Sequence, residues 1–298
     1  MVDGYYIGQM SGTSLDGIDT AIIEILNGKC SLIESHSFKW PQELELRLRQ
    51  LIEQGDSLDE MLQLDQLCAQ YFARAALECL DKTRLHRDDI KAIGCHGQTI
   101  RHSPNSDPAY TLQIGNPNTI AEITGITTVS DFRSRDIAAG GQGAPLAPAF
   151  HEAVFKHPEK NRVVLNIGGI ANISILTDDT LTGYDTGPGN RLLDDWIRHC
   201  KNLPYDTNGE FASSGRTNNT LLSRLLNDPY FQLPAPKSTG SDYFNLNWLE
   251  KHLHDFSDEA EQDIQATLAS LTATSISDQV KQAVVPCDEV LVCGGGVH

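Results

Sequence analysis

The 298-residue chain is short of positive charge. It has 23 lysines and arginines against 40 aspartates and glutamates, a net charge of -17 at pH 7. Nucleic acids and anionic membranes are bound by basic surfaces, so this balance argues against both partners. Long-range attraction would also not bring a phosphate or a sugar acid to the protein. Such an anion must be held locally, by backbone amides, a few arginines or a metal ion.

The chain also lacks the cysteine spacing of metal and redox sites. Its seven cysteines include no C-x-x-C pair, which argues against a structural zinc site and a redox-active disulfide. No apolar run approaches the length that spans a bilayer, and the N-terminus has no basic segment followed by an apolar one. These absences predict a cytoplasmic protein with reduced cysteines.

The phosphate-binding motif G-x-x-x-x-G-K-[ST] is missing, which excludes the P-loop enzymes. Strand-like and helix-like patterns alternate instead, which indicates an α/β protein, and the length predicts two domains, at residues 1–130 and 131–298. The clearest helical periodicity runs from Leu58 to Leu80. The opening design of strand, glycine turn and strand returns at residues 162–176, which predicts two domains of related architecture.

Three segments that contain glycine each follow a predicted strand, at residues 10–19, 166–172 and 294–296. Glycine lets backbone amides approach phosphate oxygens closely, hydroxyl groups add hydrogen-bond donors, and a carboxylate can hold Mg²⁺ through water. Each turn by itself is also typical of an ordinary hairpin. Three such turns at strand ends in a duplicated α/β chain favour a phosphate-binding protein.

These turns, together with several other segments, resemble the anhydro-N-acetylmuramic acid kinase family of the actin-like ATPase superfamily. The segments that carry the resemblance span essentially the whole chain. They are Gly8–Asp19 (GQMSGTSLDGID), Cys95–Thr99 (CHGQT), Gln113–Asn116 (QIGN), Asp131–Arg133 with Asp136, Ala139–Pro145 (AGGQGAP), Leu165–Asn172 (LNIGGIAN) and Gly183–Asn190 (GYDTGPGN). The one departure is length. Members of the family continue beyond the last glycine motif, so we expect the C-terminal part to be missing here.

The resemblance implies two related actin-like ATPase domains with a central ligand cleft, and it implies ATP and Mg²⁺ as cofactors. The three glycine turns would be the phosphate-1, phosphate-2 and adenosine motifs. No metal ligand is assigned. The residues implied for nucleotide binding are Gly12, Thr13, Ser14, Leu15, Asp16, Gly17, Ile18, Asp19, Gly168, Gly169, Gly294, Gly295 and Gly296.

Asp185 is the candidate for the reacting carboxylate. It is followed by Thr-Gly-Pro-Gly and then by a predicted helix from Asn190, whose N-terminus favours an anion. The residues alone leave two interpretations equally open, because aspartate also caps turns often. The resemblance implies that Asp185 is the catalytic base.

The substrate implied by the family carries a lactyl carboxylate, which the planar fork of Arg133 would match. A lone arginine is otherwise most often a surface residue. His96 is either a packed core histidine or a contact to a sugar hydroxyl. The residues that we predict for substrate binding are His96, Gln98, Asp131, Arg133 and Asn190.

The reaction implied by the resemblance opens the 1,6-anhydro bridge with water and phosphorylates O6, which gives N-acetylmuramic acid 6-phosphate during recycling of cell-wall sugars. Two alternatives stay open, an ordinary sugar kinase of the same superfamily and a non-enzymatic ATP-dependent clamp or filament protein. The partners would be ATP and a small-molecule amino sugar. The sequence does not give the oligomeric state, and a homodimer is compatible with it.

Overall fold

The computed structural model describes residues 2–12, 15, 17–55, 57–177, 181–241, 243–283 and 286–297. The chain divides into two compact units, Met1–Leu146 and Ala147–His298. The boundary expected near residue 130 falls inside the first unit, because the helix that begins at Phe132 packs against a strand of that unit. Among the described residues, no helix is both long and apolar enough to cross a membrane.

The first unit is a sheet with helices packed against it. Its elements are β1 (Gly4–Ser11), β2 (Ile18–Leu26), β3 (Lys29–Phe38), α1 (Gln42–Glu53), α2 (Leu58–Leu80), β4 (Ile90–Ser103), β5 (Tyr110–Ile114), α3 (Pro117–Thr124), β6 (Thr128–Val129) and α4 (Phe132–Ala138). The strand order is β3-β2-β1-β4-β5, and β6 pairs with β4. Strand β2 is antiparallel to both β1 and β3, whereas β4 runs parallel to β1.

Helix α2 shows why this unit folds as it does. Its bounds are those predicted from the apolar periodicity, and its N-terminus is capped by Ser57, whose side chain accepts a hydrogen bond from the Glu60 amide. The face that recurs at three and four residues is buried, with Phe72 fully enclosed, and it packs against apolar residues of the sheet such as Ile7 and Ile93. Burial of this face gives the unit its core.

The second unit is built in the same way. Its elements are α5 (Ala147–Phe155), β7 (Arg162–Ile167), β8 (Ile170–Leu176), β9 (Leu181–Pro188), α6 (Arg191–Lys201), α7 (Glu210–Ser213), α8 (Asn219–Leu226), α9 (Leu246–Leu253), α10 (Glu261–Ala283) and β10 (Glu289–Cys293). The strand order is β10-β7-β8-β9. Strands β7, β8 and β9 are antiparallel, and β10 runs parallel to β7.

The two sheets repeat one topology. In each, three successive antiparallel strands are joined by a fourth strand that lies parallel to the first, in the orders β3-β2-β1-β4 and β9-β8-β7-β10. The carboxyl ends of two parallel neighbours meet at one edge of a sheet. Each unit therefore has one edge where the β1–β2 or β7–β8 turn lies beside the end of the parallel strand, and glycine occupies both turns.

A bulge in β4 sets the directions of the side chains at this edge in the first unit. Between two pairs of partners, Gln9 with Cys95 and Ser11 with Gln98, the pairing of β1 with β4 shifts by one residue. Gly97 lies in the bulge with a φ of +75°, a conformation that glycine adopts without strain. A Cβ at this position would also lie 2.5 Å from the carbonyl oxygen of Ile114.

We expect Gly97→Ala to lower the free energy of unfolding by more than Gly28→Ala. Both glycines have a similar positive φ, +75° and +74°, but nothing lies within 4 Å of a Cβ at Gly28. The control should lose about 1–2 kcal/mol, the ordinary cost of a left-handed residue, whereas Gly97→Ala adds a clash with backbone. Urea denaturation of both variants measures the difference. Equal losses would show that β5 moves away from the bulge without cost.

Candidate functional site

The β1–β2 turn is anchored by its own apolar residues. The Leu15 side chain is buried and its amide donates to the Gly12 carbonyl at 3.2 Å, with Leu15 at a φ of 61°. Ile18 is fully buried at the start of β2. A Cβ on Gly17 would lie 2.5 Å from the Phe38 carbonyl oxygen, so only glycine fits there. The side chains of Leu15 and Ile18 therefore point into the core, and what these predicted nucleotide-binding residues can offer a ligand is backbone.

The other predicted residues of this turn are less completely defined. Thr13, Ser14 and Asp16 lie outside the described residues. Asp19 is exposed on β2, and its Oδ1 accepts a hydrogen bond from the Ser37 hydroxyl at 2.6 Å. Asp19 is thus accessible to water at the end of the turn.

Gln98 is hydrogen-bonded to the β1–β2 turn. Its side chain is completely buried, and Nε2 donates to the carbonyl oxygens of Gly12 at 3.2 Å and Thr99 at 3.3 Å. Its Oε1 accepts no hydrogen bond within the described part of the chain. Gln98 was predicted from the sequence to bind substrate, but the bulge at Gly97 turns its side chain towards the β1–β2 turn. The structure therefore gives Gln98 a supporting position beneath Gly12.

Because the resemblance implies that this turn binds ATP, we expect Gln98→Met to raise the KM for ATP about three- to tenfold, since losing one buried hydrogen bond costs about 0.5–1.5 kcal/mol. The matched control is Gln9→Met. Gln9 is also buried, but its amide donates to Thr20 and Phe72 rather than to the turn. Both variants should lose similar stability in denaturation, and only Gln98→Met should change the ATP KM in steady-state assays. An equal change in the ATP KM of the two variants would mean that Gln98 acts through general stability.

His96 and Arg133 lie in direct contact in the first unit. Arg133, on α4, donates from Nε to His96 Nε2 at 2.7 Å and from Nη1 to the Gly143 carbonyl at 2.6 Å. Arginine can only donate, so His96 Nε2 must be the unprotonated nitrogen. Its Nδ1 lies 2.9 Å from the Gly97 carbonyl oxygen, and Nδ1 therefore carries the proton and donates it there. Both ring nitrogens of His96 are occupied.

The charge in this pair belongs to Arg133. Burial lowers the pKa of His96, as does the neighbouring Arg133 charge to a smaller extent, so His96 is neutral near pH 7. Burial also lowers the pKa of Arg133, although a guanidinium stays protonated in proteins. No carboxylate among the described residues lies within ion-pair distance of Arg133. The Asp136 carboxylate instead accepts from the Gly143 amide at 2.7 Å.

Arg133 is therefore a half-buried cation with neutral partners. Its Nε and Nη1 donate to His96 and Gly143, whereas Nη2 donates no hydrogen bond to a described residue. Asp131, a further predicted substrate residue, is exposed at the N-terminus of α4, with a φ of 61° and no capping bond from its side chain. A guanidinium whose partners are neutral can still form a charge-assisted hydrogen bond with an anion.

In the second unit, the β7–β8 turn is fastened to the start of α6. The Gly168 carbonyl accepts from the Asn190 amide at 2.8 Å, and the Gly169 carbonyl accepts from the amides of Gly189 at 2.9 Å and Arg191 at 3.0 Å. A Cβ on Gly189 would lie 2.3 Å from the Gly168 carbonyl oxygen. The amides of Gly168 and Gly169 donate to no described residue. These amides are thus available to an acceptor from outside the protein.

The third glycine turn lies beside the second. Strand β10 pairs with β7 up to Cys293 and Asn166, and Gly294 follows with a φ of +90°. A Cβ on Gly294 would lie 2.6 Å from the Ile167 carbonyl oxygen, and one on Gly296 would lie 2.9 Å from Asn190 Oδ1. The structure therefore brings together five predicted residues, which are Gly168, Gly169, Gly294, Gly296 and Asn190. Gly295 lies between Gly294 and Gly296, and a Cβ placed on it would lie 3.8 Å from Asn190 Nδ2.

Asp185 lies inside strand β9, at an irregularity in the pairing with β8. Its Oδ2 accepts from the Thr239 amide at 3.0 Å, and its own amide donates to the Lys237 carbonyl at 3.0 Å. The Tyr230 hydroxyl donates to the Asp185 carbonyl oxygen at 2.7 Å. A turn cap would bond to an amide two or three residues away, whereas Thr239 is 54 residues away. Asp185 is held by a distant segment.

Burial raises the pKa of the Asp185 carboxyl to about 6, and the hydrogen bond from the Thr239 amide opposes that rise. A carboxyl group with a pKa near the working pH can take a proton from water and release it again. The sequence analysis missed the three residues that hold Asp185, which are Tyr230, Lys237 and Thr239. Two of them bond through backbone atoms, which leave no pattern of side chains to find.

The residues of the site offer few ligands to a metal ion. Within the described part of the chain, no group of three histidines, cysteines or acidic residues lies close enough to hold one. Mg²⁺ in phosphoryl-transfer enzymes typically takes one or two carboxylates, with water and substrate phosphates completing the octahedron. The donor set therefore fits a Mg²⁺ that arrives with a nucleotide better than one bound by the protein alone.

Two repeated sheets with glycine turns at their strand ends define a duplicated α/β protein. The family model described as "Anhydro-N-acetylmuramic acid kinase" matches residues 4–298, and the chain belongs to this family. The resemblance found in the sequence motifs is thereby confirmed.

Individual relatives agree with the family model. The chain is 49% identical over 299 residues to an anhydro-N-acetylmuramic acid kinase of Shewanella putrefaciens, covering 99% of this chain and 81% of the relative. It is 50% identical over 296 residues to the Pasteurella multocida protein of that name, covering 98% of this chain and 78% of the relative. A solved Ppx/GppA family structure from Aquifex aeolicus, 12% identical, covers 99% of this chain and 95% of that chain with a TM-score of 0.39, a likeness too low to carry an argument.

Proposed function

We propose that this chain is an ATP-dependent kinase that opens the 1,6-anhydro bridge of anhydro-N-acetylmuramic acid and phosphorylates O6. The product is N-acetylmuramic acid 6-phosphate, an intermediate in the recycling of cell-wall sugars. Membership of the family supports the overall reaction. The single observation that carries the mechanism is the partly buried carboxyl of Asp185, held by the Thr239 amide, whose pKa is raised to about 6.

Asp185 acts as the general base. Its carboxylate takes a proton from a water molecule, the water oxygen bonds to the anomeric carbon, and the bond from that carbon to O6 breaks with its electron pair going to O6. ATP, when bound, would supply the γ-phosphoryl group that O6 takes, with ADP as the leaving group, and Mg²⁺ would offset the charge on the phosphates. An inverting glycosidase needs a second carboxyl to protonate the leaving oxygen. Here phosphorylation captures that oxygen, so one carboxylate suffices.

Arg133 binds the lactyl carboxylate of the sugar in this proposal. Its half-buried charge has neutral partners among the described residues, and Nη2 is available for a charge-assisted bond. Neutral His96 holds the guanidinium in place by accepting the hydrogen bond from Nε. With a net charge of -17, the protein repels anions at long range, so a local cation of this kind is the required counterpart of an acidic sugar.

The glycine turns bind the nucleotide. The amides of Gly168 and Gly169, which donate to no described residue, suit phosphate oxygens. The N-terminus of α6 at Asn190 adds favourable potential for an anion. The repeated strand order supports two related actin-like ATPase domains. The seven free cysteines support a cytoplasmic location.

The test is release of ADP by the purified protein with three additions: anhydro-N-acetylmuramic acid, N-acetylmuramic acid, and no sugar. We expect ADP release with the anhydro sugar alone. Release only with the intact sugar would identify an ordinary sugar kinase. Slow release that is independent of sugar would identify an ATP-dependent clamp or filament protein.

A further inference from the structure

We propose that Lys237 is a positioning residue that holds the Asp185 carboxylate in its reactive orientation. This inference rests on the proposed function, because it takes Asp185 to be the general base. Lys237 itself does not touch the carboxylate. It fixes the backbone segment that does.

One short segment controls both the backbone and the side chain of Asp185. The Lys237 carbonyl accepts the Asp185 amide at 3.0 Å, and two residues later the Thr239 amide donates to Oδ2 at 3.0 Å. Strand β9 is the last strand of its sheet, so the segment at residues 237–239 occupies an edge that would otherwise face solvent or ligand. The position of the carboxylate therefore depends on the position of this segment.

The Lys237 side chain fastens the segment to the residues after α8. Lys237 is only 8% exposed. Its Nζ donates to the carbonyl oxygens of Tyr230 at 3.2 Å and Phe231 at 3.4 Å, and it lies 4.7 Å from the centre of the Tyr230 ring. The Tyr230 hydroxyl in turn donates to the Asp185 carbonyl at 2.7 Å. Asp185, Lys237 and Tyr230 thus form a closed ring of hydrogen bonds.

The ammonium group is costly where it lies. No carboxylate among the described residues forms an ion pair with Lys237, and burial lowers its pKa. An unpaired buried charge destabilises a fold unless hydrogen bonds and ring contacts offset the lost hydration. A methionine would fit a similar volume without that cost, but it would leave two carbonyls without donors. The lysine is therefore explained by the segment that it positions.

The titratable groups on the elements packed against β9 do not supply this function. On β9 and the segment after α8, the neighbouring titratable groups are Tyr184 and Tyr230. Burial raises the pKa of Tyr230, and the Asp185 charge contributes to a smaller extent. Helix α10 presents uncharged Ser275 and Gln279 on its buried face. Helix α5 presents His151, which is bonded to Ser174. Among these described elements and the segment at residues 237–239, Lys237 is the one cation that donates to the backbone after α8.

The test compares Lys237→Met with a control, Lys251→Met, which changes an exposed lysine on α9. We expect Lys237→Met to lower kcat roughly tenfold or more, because a displacement of ~1 Å at a reacting group can cost ~10²-fold. The KM for ATP should stay within about twofold of the wild-type value, since the glycine turns are unchanged. The control should match the wild-type protein in both constants.

The pH profile separates positioning from a general loss of stability. Weakening the Thr239 hydrogen bond removes what stabilises the carboxylate. The acid limb of kcat/KM, expected near pH 6 in the wild type because it reports the free enzyme, should therefore move to higher pH in Lys237→Met. Tyr230→Phe removes one hydrogen bond of the closed ring formed by Asp185, Lys237 and Tyr230, and it keeps the aromatic side chain. It is the test variant if Lys237→Met does not fold. It should move the limb in the same direction with a smaller loss of kcat.

Asp185→Asn, assayed in parallel, distinguishes the two proposals. If Asp185→Asn turns over normally, the proposed base is wrong and this inference fails with it. If Asp185→Asn is inactive while folded Lys237→Met, or Tyr230→Phe in its place, has wild-type kcat and an unmoved acid limb, only the positioning by Lys237 is overturned.

Discussion

Asp185→Asn is expected to lower kcat by about 10²–10⁴-fold, the usual contribution of a positioned general base. The amide keeps the size of the side chain and can still accept the Thr239 hydrogen bond, but it cannot take a proton from water. Release of ADP and formation of sugar phosphate should fall together, because bridge opening and phosphoryl transfer are coupled. The KM for ATP should change little. Steady-state assays of both products measure these effects.

The stability of Asp185→Asn provides its control. Burial raises the pKa of Asp185 from 3.8 to about 6, so the folded protein binds this proton more tightly than the unfolded chain does. The wild-type protein therefore loses stability from this group as the pH rises from 3.8 to about 6. The asparagine variant avoids that loss and should be no less stable than the wild type at pH 7. A variant that is less stable and fully active would show that Asp185 only supports the fold.

The second large effect is expected from Arg133→Met, which should raise the KM for anhydro-N-acetylmuramic acid about 10- to 100-fold. A hydrogen bond between charged groups contributes about 1.5–3 kcal/mol, and each 1.4 kcal/mol is about tenfold in affinity. The kcat should fall much less, because Arg133 does not take part in proton transfer. Arg84→Met is the matched control, since Arg84 is an exposed arginine of the same unit.

The substrate can be changed as well as the protein. The 1,6-anhydro form of N-acetylglucosamine lacks the lactyl carboxylate, so the wild type should bind it weakly and Arg133→Met should bind it about as well as the wild type does. This double comparison isolates the pair formed by the guanidinium and the carboxylate. If Arg133→Met weakened both sugars equally, Arg133 would act through the structure of the site.

Much of the fold follows from local signals in the sequence. Helix α2 has the predicted bounds because its apolar residues repeat at helical spacing over its whole length. The Asn27-Gly28 turn lies between β2 and β3, with both residues at positive φ. Helix α6, expected to begin at Asn190, runs from Arg191 to Lys201. The short helix α9 was not predicted, since eight residues show little more than two turns of periodicity.

The site was predictable where glycine is required and less so where contacts are distant. The two turns of the second unit were placed correctly at strand ends, because Gly294 fits only where a side chain is excluded. Gln98 shares the parity of His96 along β4, and strict alternation would put both on one face. The bulge at Gly97 breaks that alternation. Tyr230 and Thr239 reach Asp185 across 45 and 54 residues, which no local pattern reports.

The most direct test of the mechanism follows the oxygen of the attacking water. The reaction is run with ATP and anhydro-N-acetylmuramic acid in oxygen-18 water, and the product is fragmented at once in a mass spectrometer. We expect one labelled oxygen on the anomeric carbon and none in the phosphate group, because O6 comes from the anhydro bridge and takes the phosphoryl group. A sugar phosphate without label at the anomeric carbon, or with label in the phosphate, would contradict water attack assisted by Asp185.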